Sequence, residues 1–206
     1  MMKSSFEKAI ETYEKCRDDL NSSRATLFSE TGENLFSSEN YNRYEECVER
    51  YFHCLYEILK CGKHDEDVKK SITSKSSYVR CVALNIVKDG FFDKDFMKSI
   101  IPTLIELAIN GNDDDIVVAR KILIRKYEDK NDLIAALPNI VTNLLNLHEN
   151  SDDLYYIYNN AGRVMSFIGA HEELEKHILF GENHINEEIK ESVDEFKELL
   201  HKGNMR

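Results

Sequence analysis

From Asp65 onward this 206-residue chain repeats itself, and that repeat limits its possible folds more than any other feature. Three polar turns recur: Ser74-Lys75-Ser76-Ser77, Asn110-Gly111-Asn112-Asp113-Asp114-Asp115 and His148-Glu149-Asn150-Ser151-Asp152-Asp153. Each is followed by an amphipathic segment whose opening apolar residue is Val79, Val117 (after Ile116) or Leu154; these stand 38 and then 37 positions apart. A matching helix precedes the second and third turns, near Pro102 and Pro138, which are 36 positions apart. Proline suits the first turn of a helix, where its missing N–H has no partner to lose. Both prolines also follow apolar residues, so a short helix bent at the proline is the alternative. Paired helices at a period near 37 are the signature of an α-solenoid, in which each pair buries its apolar face by stacking on the next.

Composition agrees with helices. Two prolines and eight glycines argue against turn-dense β architectures. The length suits one domain or two small ones; the repeat favours a single all-α domain over 1–206, with N-terminal helices over 1–62, repeats over 65–170 and an acidic cap over 171–206. A charge of −11, from 38 acidic against 27 basic residues, argues against nucleic acid or an anionic membrane as partner, since both need a basic footprint. Residues 1–8 lack the apolar core of a signal peptide, and no run approaches the roughly 18 apolar residues of a membrane span. A cytoplasmic protein is the expectation.

Outside the repeats, Phe6, Ile10, Tyr13, Cys16 and Leu20 predict a helix over 5–20. The segment 21–40 is rich in Ser, Asn, Thr and Gly and is expected to be a connection, with a helical turn near 25–28. A second helix is predicted over 42–61, closed by Gly62. Its stripe is Tyr44, Cys47, Tyr51, Cys54, Ile58 and Cys61. Cysteines seven apart on one helix are about 10.5 Å apart and cannot bond to one another, so these thiols are expected to fill core. After 172–180 and a turn at 181–184, a last helix over 185–201 carries Ile185, Ile189, Val193, Phe196 and Leu200, and Gly203 ends it.

The block Val79-Arg80-Cys81-Val82-Ala83-Leu84 resembles the second helix of a HEAT-like repeat, where Val-Arg-x-x-Ala follows a polar turn. The resemblance covers 65–170. It implies a right-handed stack of antiparallel helix pairs, capped at both ends, with an extended surface of the kind that binds proteins. Small acidic helical-repeat chains without catalytic motifs are similar to the immunity proteins of bacterial toxin systems. That likeness implies a non-enzymatic inhibitor of a basic toxin domain, such as a nuclease, needing no cofactor. A scaffold or adaptor is the alternative. Some HEAT-like proteins are DNA glycosylases, which makes a nucleic-acid enzyme the remote third reading.

Four constellations are candidate sites. Asp113, Asp114 and Asp115, with Asp152 and Asp153 one repeat later, either cap helices or form an acidic edge facing a partner; a calcium loop lacks its distal Glu. Between Glu172 and Glu198 ten acids face three lysines. There Glu187, Glu188, Glu191, Asp194, Glu195 and Glu198 form either a solvated face or a dock for a basic protein. Of Tyr155, Tyr156 and Tyr158 two can pack inward, but Tyr155 and Tyr156 point about 100° apart on a helix, so at least one of them is expected at the surface as a binding anchor, core filling being the alternative. The basic cluster Arg120, Lys121, Arg125 and Lys126 is set among Ile122, Leu123 and Ile124, read as core. His171, His177 and His184 are spaced too widely for a zinc helix, and nothing marks a cysteine as activated.

Overall fold

The serine-rich stretch after Leu20 does not end the first helix. The computed structural model describes residues 5–29, 39–59 and 64–203, and α1 runs through Ser5–Ser29. Small hydroxyls make this possible: Ser23, Thr26 and Ser29 donate to the carbonyls of Leu20, Ser22 and Thr26 at 2.9, 3.0 and 2.6 Å. Such bonds let these residues occupy a helix, while Ser23 and Leu27 continue its buried stripe. The connection expected over 21–40 is therefore helical to Ser29. Helix α2 is Glu39–Leu59; the predicted stop at Gly62, and Cys61 with it, lie outside the described residues.

The remaining helices are α3 Asp65–Ile72, α4 Ser77–Asp89, α5 Lys94–Ser99, α6 Ile101–Asn110, α7 Asp113–Arg125, α8 Asn131–Leu147, α9 Leu154–Ile168, α10 His171–Glu182 and α11 Glu187–Gly203. No strand occurs among the described residues, and no helix there is long and apolar enough to cross a membrane. Pro102 sits in the first turn of α6. Pro138, by contrast, lies inside α8 on its exposed side. Leu133, Leu137, Val141 and Leu144 make one buried stripe across it, so burial carries the helix through the proline. Ile185 is not part of α11: it is 91% exposed in the preceding turn. The cap is Asn186, whose Oδ1 accepts from Glu188 N at 2.8 Å and Ile189 N at 3.3 Å.

The chain packs as two compact units, Met1–Ser71 with Asp89–Phe92, and Ile72–Lys88 with Asp93–Arg206. In the first, α1 and α2 pair antiparallel, and Phe6 near the start of α1 meets His64 just beyond the end of α2. Tyr13 donates to the Tyr51 hydroxyl at 3.1 Å, and Tyr51 donates to Asp89 Oδ2 at 2.5 Å. Burial pushes the Tyr13 phenol up to about 12 and raises Tyr51 as well, so both keep the protons this chain of bonds needs.

The second unit is a two-layer stack of the helix pairs α6–α7, α8–α9 and α10–α11. Helices α6, α8 and α10 are neighbours in one layer, and α7, α9 and α11 in the other. An arginine joins each second helix to the next. Arg80 of α4 donates from Nε and Nη2 to Asp115 Oδ2 at 2.9 and 2.6 Å. Arg120 of α7 donates to Asn160 Oδ1 at 2.7 Å, and Arg163 of α9 pairs with Glu195 at 2.9 Å. Where α9 meets α11, a Cβ on Gly162 would stand 2.5–2.8 Å from the Phe196 ring. Gly162→Ala is expected to cost about 1–3 kcal/mol by overpacking, read as a lower urea midpoint; an unchanged midpoint would show that the two helices part without penalty.

Candidate functional site

Asn112, and not an aspartate, caps α7: its Oδ1 accepts from Asp115 N at 2.9 Å. That frees Asp113 and Asp114, which are exposed, and turns Asp115 inward. Asp115 is fully buried. It cannot belong to a partner-facing edge, because its carboxylate is enclosed and spent on Arg80. The expected role is corrected accordingly: Asp115 ties α4 to α7.

Asp152 and Asp153 are exposed before α9. Asp153 makes no side-chain cap, and its carboxylate accepts from Ser151 Oγ at 3.4 Å. The two acidic turns lie side by side, since Asn110 Nδ2 reaches His148 Nε2 at 3.4 Å. Asp113, Asp114, Asp152 and Asp153 thus share one edge, and no ion pair to any of them is found among the described residues. Acid at helix N-termini is stabilised by the exposed N–H groups, so the cluster persists without cations of its own.

Tyr156 is 64% exposed, while Tyr155 is half-buried and meets it edge-on at 5.5 Å between centroids. Helix α7 adds apolar surface where core is expected from its sequence. Val117 and Ile124 are 49% and 45% exposed, whereas Ile122 and Leu123 are buried. The reason is phase. The inward stripe of α7 is Asp115, Ala119, Ile122 and Leu123, and an aspartate in a core position hides that phase from hydrophobic periodicity. Including Asp115 in the stripe is the signal that would have exposed Val117 and Ile124. The Arg120–Asn160 bond sets α7 and α9 in register. Phe167 of α9, 49% exposed, borders with Ile124 a shallow open depression. No family model, curated protein or solved structure matches this chain. Any function must therefore be read from the surface itself.

The acidic residues of α11 divide. Glu187 pairs with Lys190 at 2.8 Å and Glu195 with Arg163, while Glu191 is exposed. Lys197 takes Glu182 at 2.6 Å. Four of the ten acids in this segment, Glu173, Glu182, Glu187 and Glu195, are thus paired, and Arg163 is the one cation they draw from outside it. The basic cluster is also partly spent: Arg120 is half-buried and donates to Ala108 O as well as to Asn160. Burial, and then the charge of Arg163, lower its pKa. His177 is in the core and His184 Nδ1 accepts from Asn186 N, so these histidines do not converge. Among the described residues no three His, Cys, Asp or Glu side chains come together as a metal site.

Proposed function

We propose that this chain is a protein-binding module of HEAT-like helix pairs that neutralises a basic toxin domain in the cytoplasm, in the manner of a bacterial immunity protein. The observation that carries the reading is the face of α7 and α9. It combines exposed apolar and aromatic surface (Val117, Ile124, Tyr156, Phe167) with a rim of exposed carboxylates (Asp113, Asp114, Asp152, Asp153). An exposed apolar patch with a polar rim is the anatomy of a binding surface, and the sign of its rim selects a basic partner. Of the basic cluster that a nucleic-acid groove here would need, Arg120 is engaged by Asn160, while Lys121 and Arg125 are exposed.

The test is capture from the native lysate with the full chain as bait, followed by co-expression with the captured domain. A basic domain whose toxicity is relieved supports the reading. Tyr156→Ala is expected to weaken that complex by roughly 10–100-fold, mainly through faster dissociation. Asp113→Lys with Asp152→Lys is expected to slow association and reduce its salt dependence. Binding equal to the unsubstituted chain in both variants would sink the proposed face.

The two compact units favour one second reading, a scaffold that holds two proteins at once. Stoichiometry separates the two: an inhibitor binds one partner through the second unit alone, whereas a scaffold forms a ternary complex.

A further inference from the structure

Two thiols separated by 38 positions meet in the first unit. Cys16 Sγ of α1 and Cys54 Sγ of α2 lie 3.1 Å apart. Both residues are half-buried, unlike Cys47, which is buried. Core filling accounts for Cys47 and does not account for this pair. A disulfide inside one helix is excluded by geometry, but the antiparallel register of α1 and α2 opposes these two sulfurs across the helix–helix seam.

We infer that Cys16 and Cys54 form a dithiol–disulfide site, which a small-molecule disulfide of the glutathione class converts into a covalent link between α1 and α2. The sulfurs need to approach by only about 1 Å to reach bonding distance. Arg50 stands beside them, with Nη2 at 3.2 Å from Cys47 Sγ. Its charge acts on Cys54 as a minor influence toward thiolate. Burial, then the hydrogen bond with Cys16, pushes the Cys54 thiol up to about 11. With Cys54 holding its proton, Cys16 is the first nucleophile.

The exchange runs in two displacements. The Cys16 thiolate, its proton released to solvent, attacks one sulfur of RSSR, forming Cys16–S–S–R and expelling RS⁻. Cys54 gives its proton to that thiolate, and its sulfur then attacks Cys16 Sγ and expels the second RS⁻, which takes a proton from solvent. Two protein thiols lose two electrons and two protons, and RSSR becomes two RSH. The product closes a long loop, which restricts the unfolded chain.

The experiment incubates the full-length chain with oxidised glutathione, alkylates residual thiols and maps peptides without reduction. The expected product joins the Cys16 and Cys54 peptides, lighter by two hydrogens, and reverts with dithiothreitol. Its Tm is expected to rise by roughly 5–10 °C. In Cys54→Ser the reaction is expected to stop at a glutathione adduct on Cys16. The unsubstituted chain is decisive by itself, so a poorly folding variant leaves the outcome intact. Oxidation yielding only adducts, a bridge through Cys47 or Cys61, or no product overturns the assignment.

Discussion

Replacing Arg80 by alanine is expected to lower the stability of the helical-repeat unit by about 3–5 kcal/mol, a fall of roughly 10 °C in Tm. Asp115 is fully buried, and its Oδ1 already lacks a partner. Its Oδ2 depends on Arg80 alone among side-chain donors. Without that guanidinium a carboxylate remains in the interior with nothing to answer its charge, and that desolvation is the larger part of the expected loss. Asp115→Ala should cost less. It leaves Arg80 still 17% exposed on its side chain, with Ser74 O and Lys75 O accepting from Nη1 at 2.7 and 3.1 Å. Arg80→Lys should fall between, since an ammonium keeps the charge but cannot supply both donors and reach the carbonyls. Urea unfolding of the three variants checks the order. If Arg80→Ala proves no worse than Asp115→Ala, the buried charge is not what the arginine compensates.

Between pH 7 and pH 5 the same unit is expected to lose about 2 kcal/mol through one side chain, His177. The ring is buried between α9 and α11, stacked on Tyr158 at 4.1 Å between centroids and close to Phe196. Its Nε2 donates to Tyr158 O at 2.9 Å, and Tyr158 returns a bond from its hydroxyl to His177 O at 3.2 Å. Burial dominates, disfavouring the imidazolium and pulling the pKa from 6.5 down to about 4, with the bond to Tyr158 O opposing it. The folded chain thus binds fewer protons than the unfolded chain between those two values. The stabilisation is complete above pH 6.5, declines as the pH falls, and is gone below about pH 4. His177→Gln keeps a donor and cannot titrate. Its stability at pH 7 should drop from lost ring packing, while its further loss on going to pH 5 should be smaller than that of the unsubstituted chain by about 2 kcal/mol. An equal loss in both proteins would assign the acid sensitivity to other groups.

Much of the architecture is legible in the amino-acid sequence. Apolar residues spaced by three and four, the polar turns at 74–77, 110–115 and 148–153, and the shortage of proline and glycine specify helices and their pairing, because burial of an amphipathic face is a local property of each segment. The exposed acids Asp113, Asp114, Asp152 and Asp153 are legible from their turn position, whereas of Tyr155 and Tyr156 the helical period shows only that the two point apart.

What cannot be read there depends on how helices register against one another. Asp115 reads as a surface acid because no single helix shows that Arg80, 35 residues earlier, supplies its counter-charge. The phase of α7, and with it the exposure of Val117 and Ile124, follows from that one residue. His177 has no role visible in the sequence until α9 and α11 close on it. The Cys16–Cys54 contact exists only because α1 and α2 run antiparallel with those two sulfurs opposed. Sequence alone determined which faces of the helices other than α7 are buried, since that needs only the helical period. Tertiary structure decided which polar and sulfur-bearing side chains those faces enclose together, since that depends on a register no local pattern encodes.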